Sequence, residues 1–290
     1  MKNIAVIGAG ISGLFIANLF KKNPNYQITI YEKNTSIALE EGYGVQLSVN
    51  SIKLLNEIGF KKLQNDEKFN PKKINFYSSD SLNKICELDI ENFNSIKKFL
   101  IKTKPNYFIH CAALSRPMSI HEENIAQSIT TNIIGTSNVV KACEEQNIKL
   151  IYFSTNYIYP GIKGNYKEND PVLPINNYAI SKLGGECAVR LYKNSLILRI
   201  SMTEKPFVHK YAFSDVEMNF MYHDEFAKIL LKLINKKGII NVGGKKQTVY
   251  NFVKQSQKNI IPISGRKMIN KKFPLKQSMN LSKLKKILKK

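Results

Sequence analysis

What most limits the fold of this chain is an alternation. Short apolar runs, NIAVI (3–7), QITIYEK (27–33), KICELDI (84–90), YFIHCAA (107–113), KLIYFST (149–155) and SLILRIS (195–201), alternate with segments of helical spacing. That spacing predicts helices over 11–22, 48–60, 94–103, 125–146 and about 178–192. Strands apolar on both faces belong in a parallel sheet with helices on either side. The expected fold is therefore α/β, a Rossmann-type doubly wound parallel sheet with a small C-terminal substrate-binding part. In that last part the pattern loosens, with helices expected over 223–237, 248–258 and 278–290 and a strand over 238–244. KINFYSS (73–79) fits a strand or an edge piece.

The length of 290 residues allows one large or two modest domains. Lys and Arg number 44 against 22 acidic residues, a formal charge of +22. Almost all of the excess is Lys, spread along the chain, which reads as a compositional bias. Arg, the usual base reader, is scarce, so no nucleic-acid partner is expected. Cys86, Cys111, Cys143 and Cys187 lack metal-ligand spacing, and no metal is expected. Reduced thiols and a cytoplasmic location fit them best. The apolar run up to Phe20 contains Asn18 and a glycine pattern and is followed by Lys21 and Lys22, unlike a secretory leader. No stretch is apolar for long enough to suggest a membrane span. The basic end, Lys283 to Lys290, is read as a solvated helix end rather than a membrane contact.

Gly8, Gly10 and Gly13 form G-x-G-x-x-G between the first strand and the first helix. The first glycine allows the turn, the second lets backbone approach a pyrophosphate, and the third brings helix and strand together. Phosphates then meet the helix N-terminus. Glu32, at the end of the second strand, suits a ribose hydroxyl and disfavours a 2′-phosphate. NAD or FAD is thus preferred over NADP at this turn.

Tyr178 and Lys182 lie four residues apart in NNYAISKLGGECAV, on one face of a predicted helix. An ammonium beside a phenol is expected to lower the phenol's pKa and suit it to acid–base work. Y-x-x-x-K also occurs at Tyr159/Lys163 and Tyr250/Lys254, and context selects Tyr178. The strand upstream puts Ser154 and Thr155 at the C-terminal edge of the sheet, where open α/β sheets bind ligands. The preceding strand ends there in Ala112 and Ala113, small enough for a cofactor to lie against the backbone.

Two resemblances follow from these residues. GAGISG, YEKN and EGYGVQLSVNSIKLLNEIGF resemble the N-terminus of FAD-dependent aromatic monooxygenases over about residues 1–75. That family's later Gly-Asp motif has no match downstream. From about Leu88 onward the chain resembles the extended short-chain dehydrogenase/reductases of the dTDP-4-dehydrorhamnose reductase and sugar-nucleotide epimerase branch. LDI, IHCAA, NIIGTSNVVKACEE, FSTNYIYPG, YAISK, LILRIS, INVGG and MNLSKLKKIL carry that likeness in order. It implies catalysis by Thr155, Tyr178 and Lys182. It also implies cofactor contacts from Asp89 and Ile90 beside the adenine, from Ala112 and Ala113, and from Lys182 at the ribose. Asn156 departs from the branch, which usually has Asp there.

The resulting division has a nucleotide-binding Rossmann domain over 1–200, flavoprotein-like to 87 and reductase-like from 88. The part over 201–290 is small, binds substrate and is partly interleaved with it. The expected activity is hydride transfer between NAD, ahead of NADP or FAD, and a nucleotide-linked sugar, with Tyr178 as acid or base. No membrane partner is expected, and a homodimer is compatible with this reading. A flavin monooxygenase and a non-catalytic nucleotide-binding chimera are the alternatives.

Overall fold

The computed structural model describes residues 1–8, 11–31, 88–268 and 274–289. The helix expected at 48–60, the edge piece at 73–79, Gly10, Glu32 and Cys86 lie outside these residues. Of the expected strand KICELDI, only Leu88–Ile90 are described, and they form no strand.

Six parallel strands make the central sheet: β1 (Lys2–Ile7), β2 (Tyr26–Tyr31), β3 (Tyr107–His110), β4 (Lys149–Thr155), β5 (Ser195–Ile200) and β6 (Gly238–Val242). Their spatial order is β6-β5-β4-β3-β1-β2. Every residue of β4 and β5 is buried, as strands covered on both faces require.

Alternation along the strands divides the core in two. Ile4, Val6, Ile109, Ile151, Phe153, Leu196 and Leu198 face helices α1 (Ile11–Lys21) and α5 (His223–Leu233). Ala5, Ile7, Phe108, Leu150, Tyr152 and Ile197 face α2 (Phe93–Thr103), α3 (Thr136–Glu145) and α4 (Asn177–Leu191). The sheet is thus doubly wound. Side chains cap several of these helices: Asn92 accepts from the Ser95 N–H at α2, and Asn176 from the Ala179 N–H at α4.

One expected element differs. The single helix over 125–146 is a short helix, Ile125–Ile129, then a π-helical turn, Thr130–Gly135, then α3. Tertiary hydrogen bonds from Asn132 accompany this slip in the ladder. Its side-chain amide donates to the Leu114 carbonyl and to Ser181 Oγ at 2.8 and 2.9 Å, and its Oδ1 accepts from the Leu114 N–H. π turns of this kind gather at functional sites.

After β5 the chain forms a smaller cluster around Ala212, Val216, Met218, Val249, Phe252, Val253 and Ile260. Short ladders hold it, Tyr211–Phe213 with Ile261–Ile263 and Glu217–Met218 with Gln247–Thr248. It sits beside the C-terminal edge of the sheet through Met202–Thr203, which extends from β5 and pairs with Met221–Tyr222. β6 then returns to the central sheet.

Candidate active site

Connections run toward β2 on one side of β1 and toward β4 on the other side of β3. Such a switch point opens a crevice at the carboxyl ends of the strands. Gly8 follows β1 there with φ +96°, in the left-handed region. A Cβ on it would lie 3.1 Å from the backbone N of Ala112, so the turn and the end of β3 touch through backbone. A Cβ on Gly13 would lie 1.9 Å from the Gly8 carbonyl oxygen. Helix α1 therefore seats its first turn against the end of β1, with its N-terminus at the crevice. Ala112 and Ala113 are half-buried just beyond β3. These small residues fit a dinucleotide lying against backbone, with its phosphates at a helix N-terminus. Ile90 is buried against Gly135 of the π turn. Asp89 is part-exposed and accepts from the Glu91 N–H at 3.0 Å.

Across the crevice, Tyr178 lies in the first turn of α4, close to the Thr155 hydroxyl at the end of β4. Lys182, one turn further along, is 5% exposed, with Nζ 4.3 Å from the centre of the Tyr152 ring. The Tyr152 hydroxyl donates to the Lys182 carbonyl at 3.0 Å. Thr155 and Tyr178 are thus brought together, and Lys182 follows one turn along the same helix, near Cys111 and Glu186.

The electrostatics correct one expectation. Tyr178 is pushed up to about 12, by burial first and then by Tyr157, against the Thr155 hydroxyl and Arg116. Lys182 is pushed down to about 7, again chiefly by burial, with Cys111 and Glu186 opposing. The lysine does not lower the phenol here, because burial disfavours both charged forms. Ser154 is also redirected. Its hydroxyl donates to Glu186 Oε2 at 2.6 Å, on the sheet face opposite Thr155.

Several neighbours were not singled out from the sequence. Glu186, one turn past Lys182, is fully buried with Arg199 of β5, Nη2 to Oε1 2.6 Å. Arg199 Nη1 also donates to the Tyr159 hydroxyl at 2.7 Å and to the Glu168 carbonyl at 3.0 Å. An arginine inside an apolar strand, and a carboxylate eight residues past Tyr178 on the same helix face, were the available signals. Arg116, in the loop after β3, forms a two-pronged ion pair with Glu204 beyond β5. Nothing in its local sequence marks it.

The competing pairs are spent elsewhere. Tyr159 is buried and its hydroxyl bonds Asn241 Oδ1 at 2.8 Å, while Lys163 pairs with Asp170. Lys254 lies over the Tyr250 ring, 5.2 Å from its centre. Asn156 is buried and its amide reaches Gln277 Oε1 at 3.4 Å. Among the described residues no cluster of His, Cys, Asp or Glu is suited to a metal, and no helix is long and apolar enough to cross a membrane.

Comparison with known proteins agrees with this architecture. Residues 6–40 match an NAD(P)-binding Rossmann-like domain. Residues 57–242 match the RmlD substrate binding domain, and the chain belongs to that family. Over 106 residues it is 30% identical to methionine adenosyltransferase 2 subunit beta of Pongo abelii, covering 37% of this chain and 31% of that one. Over 117 residues it is 32% identical to the probable low-salt glycan biosynthesis reductase Agl14 of Haloferax volcanii, 40% of this chain and 39% of that one. The matched stretches thus span about a third of these curated relatives. The crystal structure of dTDP-4-dehydrorhamnose reductase from Bacillus anthracis, in complex with NADP, superposes with a TM-score of 0.70 at 21% identity, covering 98% of this chain and 91% of that one.

Proposed function

We propose that the chain is an NAD-dependent oxidoreductase acting on a nucleotide-linked sugar, of reductase or epimerase/dehydratase type. The observation that carries this reading is the placement of Tyr178 in the first turn of α4 beside the Thr155 hydroxyl at the end of β4, with Lys182 one turn further along, buried near Cys111 at the end of β3. Bound nicotinamide supplies or accepts the hydride. Thr155 orients the sugar oxygen. Tyr178 gives the proton to that oxygen in reduction and takes it in oxidation. Lys182 holds the ribose side of the cofactor. Gly8, Gly10 and Gly13 receive the pyrophosphate, Glu32 a ribose hydroxyl, and Asp89 and Ile90 the adenine. The Haloferax relative named a reductase and the Bacillus reductase bound to NADP support the class.

Thermal shift with NADH, NADPH and FAD tests the cofactor, since a ligand stabilises the fold it binds. NADH is expected to stabilise most, and a yellow protein stabilised by FAD would return the flavin reading. Absorbance of the reduced cofactor, followed over dTDP- and UDP-linked 4-keto sugars, tests turnover. Tyr178→Phe is expected to lower it about 10²–10⁴-fold with cofactor affinity nearly intact. A specific observation favours a second reading, a regulatory subunit that binds NAD without turnover: the Pongo relative is named as a subunit. NADH binding with no turnover over the whole panel would select it.

A further inference from the structure

Tyr152 of β4 holds Lys182 at both ends, and the mechanism gives it no part. Its hydroxyl donates to the Lys182 carbonyl at 3.0 Å. Lys182 Nζ lies over the same ring, 4.3 Å from its centre. The lysine is thus folded back along one side chain. Gly185 leaves room for the hydroxyl, since a Cβ there would stand 2.7 Å from the Tyr152 hydroxyl oxygen. Tyr152 is fully buried in the middle of the sheet, in register with His110, the last residue of β3. The residues that follow on that side are Cys111, Ala112 and Ala113.

A buried ammonium needs such a partner. Burial lowers the pKa of Lys182 to about 7, and the other groups that face it give limited support. On its own helix, Glu186 favours the charged form but commits its carboxylate to Arg199 and Ser154. At the end of β3, Cys111 favours it too, yet that thiol is pushed up to about 12 by burial and stays neutral. His110 is neutral as well, pushed down to about 3 by burial first and then by Lys182. Burial first, and then Glu186 and Tyr178, keep the Tyr152 phenol protonated. What remains is the face of the Tyr152 ring, which is negative. A desolvated ammonium over such a face is attracted more strongly than one in water.

We propose that Tyr152 is the positioning residue of Lys182: its ring seats the ammonium toward the end of β3, and its hydroxyl fixes the turn of α4 that carries the lysine. The functional weight of this seat rests on the reading in which Lys182 holds the ribose side of the cofactor. A lysine stem is flexible and its head strongly hydrated, so an unseated ammonium turns to water. A seated one stays at the strand end, where Ala112 and Ala113 leave backbone open to a dinucleotide. Tyr152 lies beneath the lysine and acts only through it.

Two measurements test this on the full chain. Carbon-13 NMR of lysine Cε follows the titration of Lys182, assigned by its loss in Lys182→Met. Tyr152→Phe, and then Phe analogues of rising fluorine content at the same position, keep the shape of the ring while weakening its face. Along that series the Lys182 midpoint should fall, by about half a unit to one unit in all. Lys149, at the other end of β4, is pushed down to about 8 by burial and then by Lys237, and its midpoint should not move. A Lys182 midpoint that stays put in the folded variants, or that moves together with that of Lys149, overturns the proposal. The second measurement is a cycle on NADH affinity. Tyr152→Phe removes the bond to the Lys182 carbonyl and should weaken binding about fivefold. In a Lys182→Met background the same change should have no effect, and an equal weakening there marks Tyr152 as merely structural and overturns the proposal. If Lys182→Met binds NADH as the wild type does, the ribose reading of Lys182 fails instead, and the midpoint series then decides the seat alone.

Discussion

The two walls of the crevice are made from different material. On the β1 side, the described contacts are backbone on backbone: Gly8 against Ala112, and Gly13 against Gly8. On the β4 side they are side chain on side chain. Thr155 meets Tyr178, Ser154 meets Glu186, and Glu186 meets Arg199, which reaches Tyr159 and the 168 carbonyl. The first wall suits a ligand recognised by its phosphates, which need N–H groups and room. The second suits chemistry, which needs a few polar atoms held in fixed relation. A backbone wall fails when something is added to it. A side-chain wall fails when one member is removed.

Removal should therefore have the largest effect on the β4 side. Arg199→Ala leaves Glu186 buried without its cation and strips partners from Tyr159. Breaking such a buried pair costs about 3–5 kcal/mol, to be read by chemical denaturation. A loss below about 1 kcal/mol would show that the network is not a unit, and the contrast between the walls would fall with it. Lys182 comes next. Its pKa falls from 10.5 to about 7 on folding, so above pH 7 the unfolded chain binds a proton that the folded one has released. Stability from this group therefore rises with pH, by about 2 kcal/mol between pH 7 and 9. Above pH 9 the buried Cys111 thiol, pushed up to about 12, works in the opposite sense, so the window closes there. Lys182→Met should flatten the rise, and an equally steep rise in that variant would exclude Lys182 as its source.

The same contrast explains what could be read from the chain. KLIYFST and SLILRIS announce buried strands because residue type alone decides their environment. Tyr178 and Lys182 are legible because helical spacing puts them on one face. The ionisation of that pair was not legible, since it depends on burial beneath Tyr152 and the end of β3, which spacing does not report. The π turn at Thr130–Gly135 was hidden for a similar reason: nothing in TTNIIG itself demands it, and the bonds of Asn132 come from Leu114 and Ser181. Arg116 reaches the neighbourhood of Tyr178 from a loop with no periodicity to read.

Addition should break the β1 side. The Cβ of Gly13→Ala would stand 1.9 Å from the Gly8 carbonyl, which belongs to backbone and cannot rotate away. Helix α1 must then shift from the end of β1, at about 1–3 kcal/mol for overpacking. The larger consequence concerns the ligand. A displaced helix N-terminus should remove most of the thermal stabilisation by NADH, while Tyr178 and its partners stay in place. If Gly13→Ala keeps the full NADH shift, the dinucleotide does not use this turn.

The smallest effect belongs to a pair that imitates the site. Tyr250 and Lys254 share the spacing of Tyr178 and Lys182, yet Lys254 lies 5.2 Å from the centre of the Tyr250 ring, out on the surface. Lys254→Met removes a cation–π contact worth about 0.5–1 kcal/mol at an exposed position. Turnover and NADH affinity should not change, because among the described residues no side-chain network like that of Ser154, Glu186 and Arg199 ties Tyr250 and Lys254 to the crevice. Matched assays of Lys254→Met and Lys182→Met therefore isolate what context adds to an identical spacing. A comparable loss of turnover in both would mean that the spacing, and not the wall of side chains around Tyr178, had selected the wrong tyrosine.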